Sequence, residues 1–430
     1  MTSRTKVVLF GFLLGILVLS LIAVFTHRPQ RIGNSQGFDP RPSAIPDRII
    51  LTWCQDPATS QAVTWRTDST VTTPKAELAV ATASPKFTES AMQIAAETDV
   101  LSTTNGTACF HSVKFKDLQP NTVYAYRVGD GSVWSEWLQF TTAADKFSPF
   151  SFIYLGDAQN NILSMWSRTI RTAYSETSEA RFLIHAGDLV NRANSDIEWA
   201  EWFRAGGWIY AMLPSIPAAG NHEYPKDANG NRKLTAYWRA QFTLPQNGIP
   251  ELPESSYYLD YQGTRLISLN SNERLAEQTV WLEHILDDNP CRWTIITFHH
   301  PVFSSAKNRD NPELRTLWKP LFDQYRVDLV LQGHDHSYAR GRNLPVGVNT
   351  QDTKAGTMYV VSVSGPKMYA LTSTKWMDRS GENMQLHQVI HIAGDSLTYR
   401  AVTATGVPYD AFTLVKQPGD ANLLSEDLPL

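Results

Sequence analysis

Gly333-His334-Asp335-His336 follows the apolar run Val327 to Leu331, and four other blocks stand in the same relation to apolar runs upstream. Gly156-Asp157 follows Ser151 to Leu155, and Gly187-Asp188 follows Arg181 to Ala186. Gly220-Asn221-His222-Glu223 follows Ile216 to Ala219, and Phe298-His299-His300-Pro301 closes Trp293 to Phe298. Runs this short and this apolar are of strand type. Asp, Asn and His therefore gather where strands hand over to loops, the place where α/β sheets hold ligands. No cysteine joins them. The donors are oxygen and imidazole nitrogen, a set that suits Zn, Fe, Mn or Co better than a thiolate cluster would. The pattern is that of a two-metal site.

At 430 residues the chain is too long for one ordinary domain and long enough for two, each with a core. A formal charge of −4 leaves no basic field, so no nucleic-acid-binding surface is evident. Val7 to Phe25 is apolar and uncharged, with Arg4 and Lys6 before it. That run, roughly 19 residues, is just enough to cross a bilayer core as a helix. Thr26-His27-Arg28-Pro29 offers no small-x-small cleavage site, so residues 1–28 read as a cytoplasmic stub and an uncleaved transmembrane signal anchor. Arg28 and Arg31 weaken the positive-inside argument, but so short a stub leaves the bulk of the chain outside the cytoplasm, periplasmic or extracellular. Cleavage would make it secreted. Cys54, Cys109 and Cys291 lack metal-type spacing; Cys54 and Cys109 could pair in an oxidising compartment, and free buried thiols are the preferred reading.

Residues 29–46, rich in Pro, Gly, Ser and Arg, read as a linker. Residues 47–143 carry short alternating strands, among them Ile49 to Trp53, Ala62 to Arg66, Lys75 to Ala81, Cys109 to Phe115, Val123 to Val128 and Trp137 to Thr141. Polar turns separate them, which predicts an all-β sandwich. From 149 to 417 buried strands alternate with amphipathic segments at Asn160 to Ser178, Ile197 to Ala211, Arg274 to Asp287 and Pro312 to Tyr325, the βαβ pattern of an α/β domain. After Gly356 only strands are expected, suiting a more antiparallel sheet. Residues 418–430 read as a loose tail.

The five blocks occur in the order found in calcineurin-like metallophosphoesterases, and the chain resembles their purple acid phosphatase branch. Leu51-Thr52-Trp53, Ala62 to Thr67, Leu118 to Gly129 and Phe140 to Ala143 resemble that branch's fibronectin-type-III-like N-terminal domain. The resemblance implies a four-layer αββα catalytic domain, with two metal ions where the strands end. Carried over residue by residue, Asp157, Asp188 and His336 would hold the first metal. Asp188 would bridge to the second, completed by Asn221, His299 and His334. A carboxylate can bridge cations about 3.5–4 Å apart, and such a pair activates water and clamps phosphoryl oxygens. His222 resembles a substrate-contacting His and is the candidate acid for the leaving oxygen; a hydrogen bonder orienting Asn221 is the alternative.

The chain also departs from that branch. Asn191 stands where the branch has an iron-binding Tyr, which favours a divalent pair and a colourless enzyme; Asn191 itself is a possible ligand or supporting residue. Gln159 stands where the branch has Gly. It either turns its amide toward the metal-bound water or makes a structural hydrogen bond. Arg309 lies near the position of a phosphate-contacting His and is a candidate phosphoryl contact, a solvated loop charge being the alternative. Glu223 and His185 read as structural, and His300 is expected to point away from its neighbour His299 in an extended segment. The resulting expectation is a membrane-tethered dinuclear phosphomonoesterase acting on a small phosphate ester. A phosphodiesterase or nucleotide hydrolase is the first rival, and a catalytically silent metal-binding protein the second.

Overall fold

The computed structural model describes residues 38–342, 354–372, 376–419 and 421–427. Val7 to Phe25 lies outside them; among the described residues no helix is long and apolar enough to cross a membrane. The described strands form four sheets.

Two four-stranded antiparallel sheets make the N-terminal sandwich. One runs Asp47–Thr52, Gln61–Asp68, Gly106–Phe115, Glu97–Thr103; the other runs Met92–Ala95, Lys75–Val80, Val123–Gly129, Leu138–Thr141. Their inward faces bury Leu51, Val63, Trp65, Leu78, Tyr126 and Phe140 together. Met92–Ala95 and Glu97–Thr103 went unread in the sequence because both are mostly exposed, so no apolar alternation marks them. All three cysteines are free thiols.

The remaining strands form an eight-stranded and a seven-stranded sheet. In the first, Ser215–Pro217, Leu183–His185 and Phe150–Leu155 are parallel neighbours; Leu386–Ala393, Ser396–Thr403 and Pro408–Val415 continue it antiparallel. In the second, Thr264–Ser268, Trp293–Phe298, Leu329–Gln332 and Met358–Val361 are parallel neighbours. One core joins the two sheets, with Ile153, Leu155 and Ile390 from the first and Ile295, Leu331 and Val360 from the second. Helices cover the outer faces: Ser167–Glu176 buries Ile170 and Ala173 in that core. Leu282 and Ile285 of Leu275–Asp287, Phe322 of Lys319–Gln324, and Trp318 at the junction between Pro312–Leu317 and Lys319–Gln324 pack on Ile267, Ile296 and Val330 of the second sheet. Two expected helices are each broken in two, after Gly206 by Gly207 (φ 52°) and after Leu317 ahead of Pro320. Asn422–Glu426, expected in a loose tail, instead pairs with Pro408–Val415 and with Lys354–Ala355. Buried Leu424 and the hydrogen bond from Asn422 Nδ2 to Asp328 Oδ1 (2.6 Å) hold it there.

A buried ion cluster joins sandwich to catalytic domain. Asp196, fully buried, pairs with Arg48 at 2.8 Å and Arg66 at 3.3 Å and accepts from Asn105 at 2.9 Å. Removing one member of such a cluster leaves uncompensated buried charge, which typically costs about 3–5 kcal/mol. Asp196→Ala is therefore expected to lower stability by roughly that amount, read as a reduced urea midpoint; an unchanged midpoint would show the cluster to be dispensable.

His185 is 1% exposed and packs edge-on against Trp202 and Tyr210, as its structural reading requires. Burial pushes its pKa from 6.5 down to about 3. Below pH 6.5 the unfolded chain gains a proton that the folded chain refuses until about pH 3. Stability from this group is complete above pH 6.5 and falls toward pH 3 by about 1.4 kcal/mol per unit. His185→Leu should flatten that slope in urea unfolding run across this range; a slope identical to the parent's would contradict the assignment.

Candidate metal centre

The parallel strands of both sheets aim their C-terminal ends at one place. His334 N–H donates to both Asp157 carboxylate oxygens (3.0 and 2.8 Å), tying the loops of the two sheets together, and Gly333 N–H donates to His299 O (3.0 Å), joining neighbouring loops of the second sheet. Four side chains then converge on one point. His299 Nδ1 lies 2.9 Å from Ala186 O, which places its proton there and turns Nε2 inward. That Nε2 stands 3.2 Å from Asn221 Oδ1, 3.2 Å from Asp188 Oδ2 and 3.0 Å from His334 Nδ1. Donors bound at about 2.0–2.1 Å to one cation stand about 2.8–3.4 Å apart, in octahedral or tetrahedral array. The spacing fits a shared ion.

A second group adjoins it. Asp157, Asp188 and His336 bring their donor atoms within 4.8 Å of one another, and Asp157 Oδ1 lies 3.4 Å from His336 Nε2. His336 Nδ1 faces Lys367 O at 2.9 Å, leaving Nε2 for the centre. Gln159 is fully buried; its Nε2 lies 2.8 Å from Asp188 Oδ2 and 3.1 Å from His336 Nε2, while its Oε1 has no partner among the described residues. A half-turn of the amide would aim that oxygen into the group. Asp188 belongs to both groups, the position a bridging carboxylate requires.

A cation entering this centre would displace protons from Asp157 and His299. Burial pushes the Asp157 carboxyl up to about 8, with Asp188 adding to it against the pull of His299. Burial alone would raise Asp188 too, but His299 outweighs it and holds Asp188 below the usual carboxylate range. His299 in turn is lifted to about 9, Asp188 overcoming the effect of burial. Burial keeps His336 and His300 near 3, and His334 lower still, with His299 and His300 assisting, so these rings are neutral and free to ligate.

The backbone is strained where the donors sit. Asp157 (φ 52°), Asp188 (φ 51°), His334 (φ 75°) and His336 (φ 49°) all occupy the left-handed region, uncommon for residues with a Cβ. Glycine permits the close approach: a Cβ on Gly333 would lie 2.3 Å from Asp157 Oδ2, and one on Gly220 2.2 Å from Asp188 Oδ1. Two buried carboxylates hold the turns. Glu223 accepts N–H bonds from Asp188, Leu189 and Gly220 at 2.8–2.9 Å, fixing the loop behind Asp188. Asp335 accepts from Ser305 N (2.6 Å), Ser304 Oγ (2.7 Å) and Arg309 Nε (3.1 Å). Sequence reasoning missed Asp335, although its place between two histidines marked it.

His222 Nδ1 lies 2.6 Å from Asn191 O, and its Nε2 faces Asp188 Oδ2 at 3.9 Å with the ring part-exposed. Asn191 thus meets the site through its backbone carbonyl. Arg309 is no free loop charge: it is tied to Asp335 and to His334 O (3.0 Å) and lies over Tyr369. His300 does not point away. The strand ends at Phe298, so alternation stops there, and the His300 ring comes within 4.4 Å of the His334 ring while Nδ1 pairs with Ser271 Oγ. Its donor atom groups with those of His299 and His334. A cavity of about 670 Å³ opens over the centre, lined by Asp188, His222, His334 and His336 together with Arg309, Lys367 and Tyr369.

The architecture and the paired donor groups define a metallophosphoesterase, and comparison with known proteins places it further. Residues 46–142 match the purple acid phosphatase N-terminal domain, and residues 151–338 the calcineurin-like phosphoesterase domain. An uncharacterised protein of Mycobacterium tuberculosis is 28% identical over 373 residues, covering 74% of this chain and 69% of its own. Probable purple acid phosphatase 20 of Arabidopsis thaliana is 28% identical over 276 residues, 62% of each chain. The purple acid phosphatase from yellow lupin (Lupinus luteus) seeds shares the fold, with a TM-score of 0.72 at 19% identity over 86% of this chain and 74% of its own. The chain belongs to the purple acid phosphatase-like branch of the calcineurin-like metallophosphoesterases, phosphoester hydrolases that use a dinuclear metal centre.

Proposed function

We propose that this chain is a phosphomonoesterase acting outside the cytoplasm, tethered through Val7 to Phe25. Asp157, Asp188 and His336 would hold one divalent cation, with Gln159 Oε1 at hand, and Asn221, His299 and His334 the other. The observation that carries this reading is the single carboxylate of Asp188, whose Oδ2 stands 3.2 Å from His299 Nε2 and 2.8 Å from Gln159 Nε2. When bound, a dinuclear centre supplies an activated water and neutralises phosphoryl charge.

The chain's own residues do the rest. His222, oriented by the Asn191 carbonyl, presents Nε2 to the cavity as the proton donor to the departing oxygen. Arg309, held by Nε and Nη2, keeps Nη1 for a phosphoryl oxygen. With metal bound, the full chain should turn over 4-nitrophenyl phosphate faster than bis(4-nitrophenyl) phosphate. The opposite order would favour a diesterase, and inertness toward both, with two metals present, a silent metal-binding protein. Because Asn191 offers no phenolate, the metal-loaded protein should show no strong visible absorption; such a band would refute the divalent, colourless assignment.

A further inference from the structure

A second cavity, about 570 Å³, adjoins the one over the metal centre. Its walls come from both domains: Thr104 of the sandwich on one side, and Asn191, Arg192 and Ser195 of the loop after Asp188 on the other. The two cavities share Asn221, His222 and Arg232. His222 therefore stands on a common lip, between the metal ligands and a space large enough for a sugar-sized group.

The charge of this space is one-sided. Among the described residues no acidic side chain lines it. Arg232 Nη1 donates to Asn221 O (3.2 Å) and Tyr224 O (2.8 Å), which fixes the guanidinium without neutralising it. The nearest acids in its own loop segment are engaged elsewhere: Asp227 accepts from Asn229 N and Asn231 N at 2.8 Å, and Glu223 is buried against backbone N–H groups. Arg192 also lines the space, but its Nε is paired with Glu198 at 2.6 Å, which leaves Arg232 as the cation of this lining without a carboxylate partner among the described residues. A cation anchored by backbone carbonyls is preorganised, so little freedom is lost when an anion binds.

We infer that this second cavity receives the leaving group of the phosphoester, and that Arg232 selects leaving groups carrying a second anionic group. The inference rests on phosphoryl transfer at the Asp188 centre. In-line displacement sends the leaving oxygen away from the attacking water, and His222 on the shared lip is placed to meet it there. The P–O bond to the leaving group breaks and the water oxygen bonds to phosphorus, keeping one proton and losing the other to solvent, while the leaving oxygen takes the His222 proton, which solvent then restores. The alcohol so released lies in the arginine-bearing cavity. Its preferred substrates are then bisphosphates or phosphorylated hydroxy acids, and Arg232 is a specificity residue.

Fructose 6-phosphate and fructose 1,6-bisphosphate offer a matched pair that differs in one phosphate. For the metal-loaded full chain, kcat/KM should favour the bisphosphate, and Arg232→Gln should cut that preference about tenfold, chiefly through KM. Fructose 6-phosphate serves as the internal control for any disturbance of Asn221. Calorimetric binding of both sugars to the parent and to Arg232→Gln gives a readout independent of turnover, with the same ratio expected to fall. Absence of a bisphosphate preference in the parent, or a ratio untouched by Arg232→Gln in both assays, overturns the inference. Failure to hydrolyse even 4-nitrophenyl phosphate would instead strike the phosphatase reading, and the binding ratio would still decide the subsite.

Discussion

Asp188→Ala is expected to abolish hydrolysis and to strip the protein of its cations while leaving it folded. Glu223 holds the loop through the backbone N–H groups of Asp188 and Leu189, which the substitution leaves in place; of the local backbone bonds, the one from His222 N–H to Asp188 Oδ1 (2.9 Å) is lost. What disappears is the carboxylate that reaches His299 Nε2 and Gln159 Nε2 together. Loss of an outer hydrogen-bond partner alone costs about 10–100-fold in metal affinity, so loss of a shared ligand should exceed that for both ions. Loss of one stabilising contact in a preorganised site costs about 10²–10³ in rate; removing the group that organises both ions should reach at least the upper end. Elemental analysis after gel filtration, with a nitrophenyl phosphate assay, reads both effects. A variant retaining two ions and near-parental rate would dismiss Asp188 as the bridge.

His222→Ala should behave differently, keeping its metals and losing proton donation. The ring is held by Asn191 O at 2.6 Å, and Nε2, 3.9 Å from Asp188, is farther from that carboxylate than His299 Nε2 at 3.2 Å. General-acid assistance is worth about 10²–10⁴-fold. It matters most when the departing oxygen is a poor leaving group, so the deficit should approach that range for an alkyl phosphate. For 4-nitrophenyl phosphate, whose phenolate departs unaided, the deficit should be much smaller. Equal losses on both esters would assign His222 to orienting Asn221 instead.

The donor set was legible because each ligand ends an apolar run, and burial of those runs forces their C-terminal ends to one side of the sheets. The sandwich was legible where a strand alternates buried apolar with more exposed polar residues, as in Leu138–Thr141, or is buried almost throughout, as in Gln61–Asp68 and Val123–Gly129. Strands without that signature were not. Glu97–Thr103 is held by its ladder to Gly106–Phe115, and Asn422–Glu426 by an edge pairing and Asp328; neither leaves a periodic trace. His300 was misjudged because alternation was carried past Phe298, where the strand stops. Arg309 could not be placed without Asp335, 26 residues downstream in sequence yet in contact through the loop at Ser304 and Ser305. The left-handed backbone at four donor positions is likewise a tertiary product. Local preference opposes it, and only the converging loops and neighbouring glycines hold it.

A crystal structure of the metal-loaded chain with anomalous diffraction collected at the metal's absorption edge tests the shared-carboxylate centre most directly. Two anomalous peaks about 3.5–4 Å apart are predicted, with the Asp188 carboxylate touching both. A lone peak, or two ions with Asp188 bound to neither or only one, would contradict it.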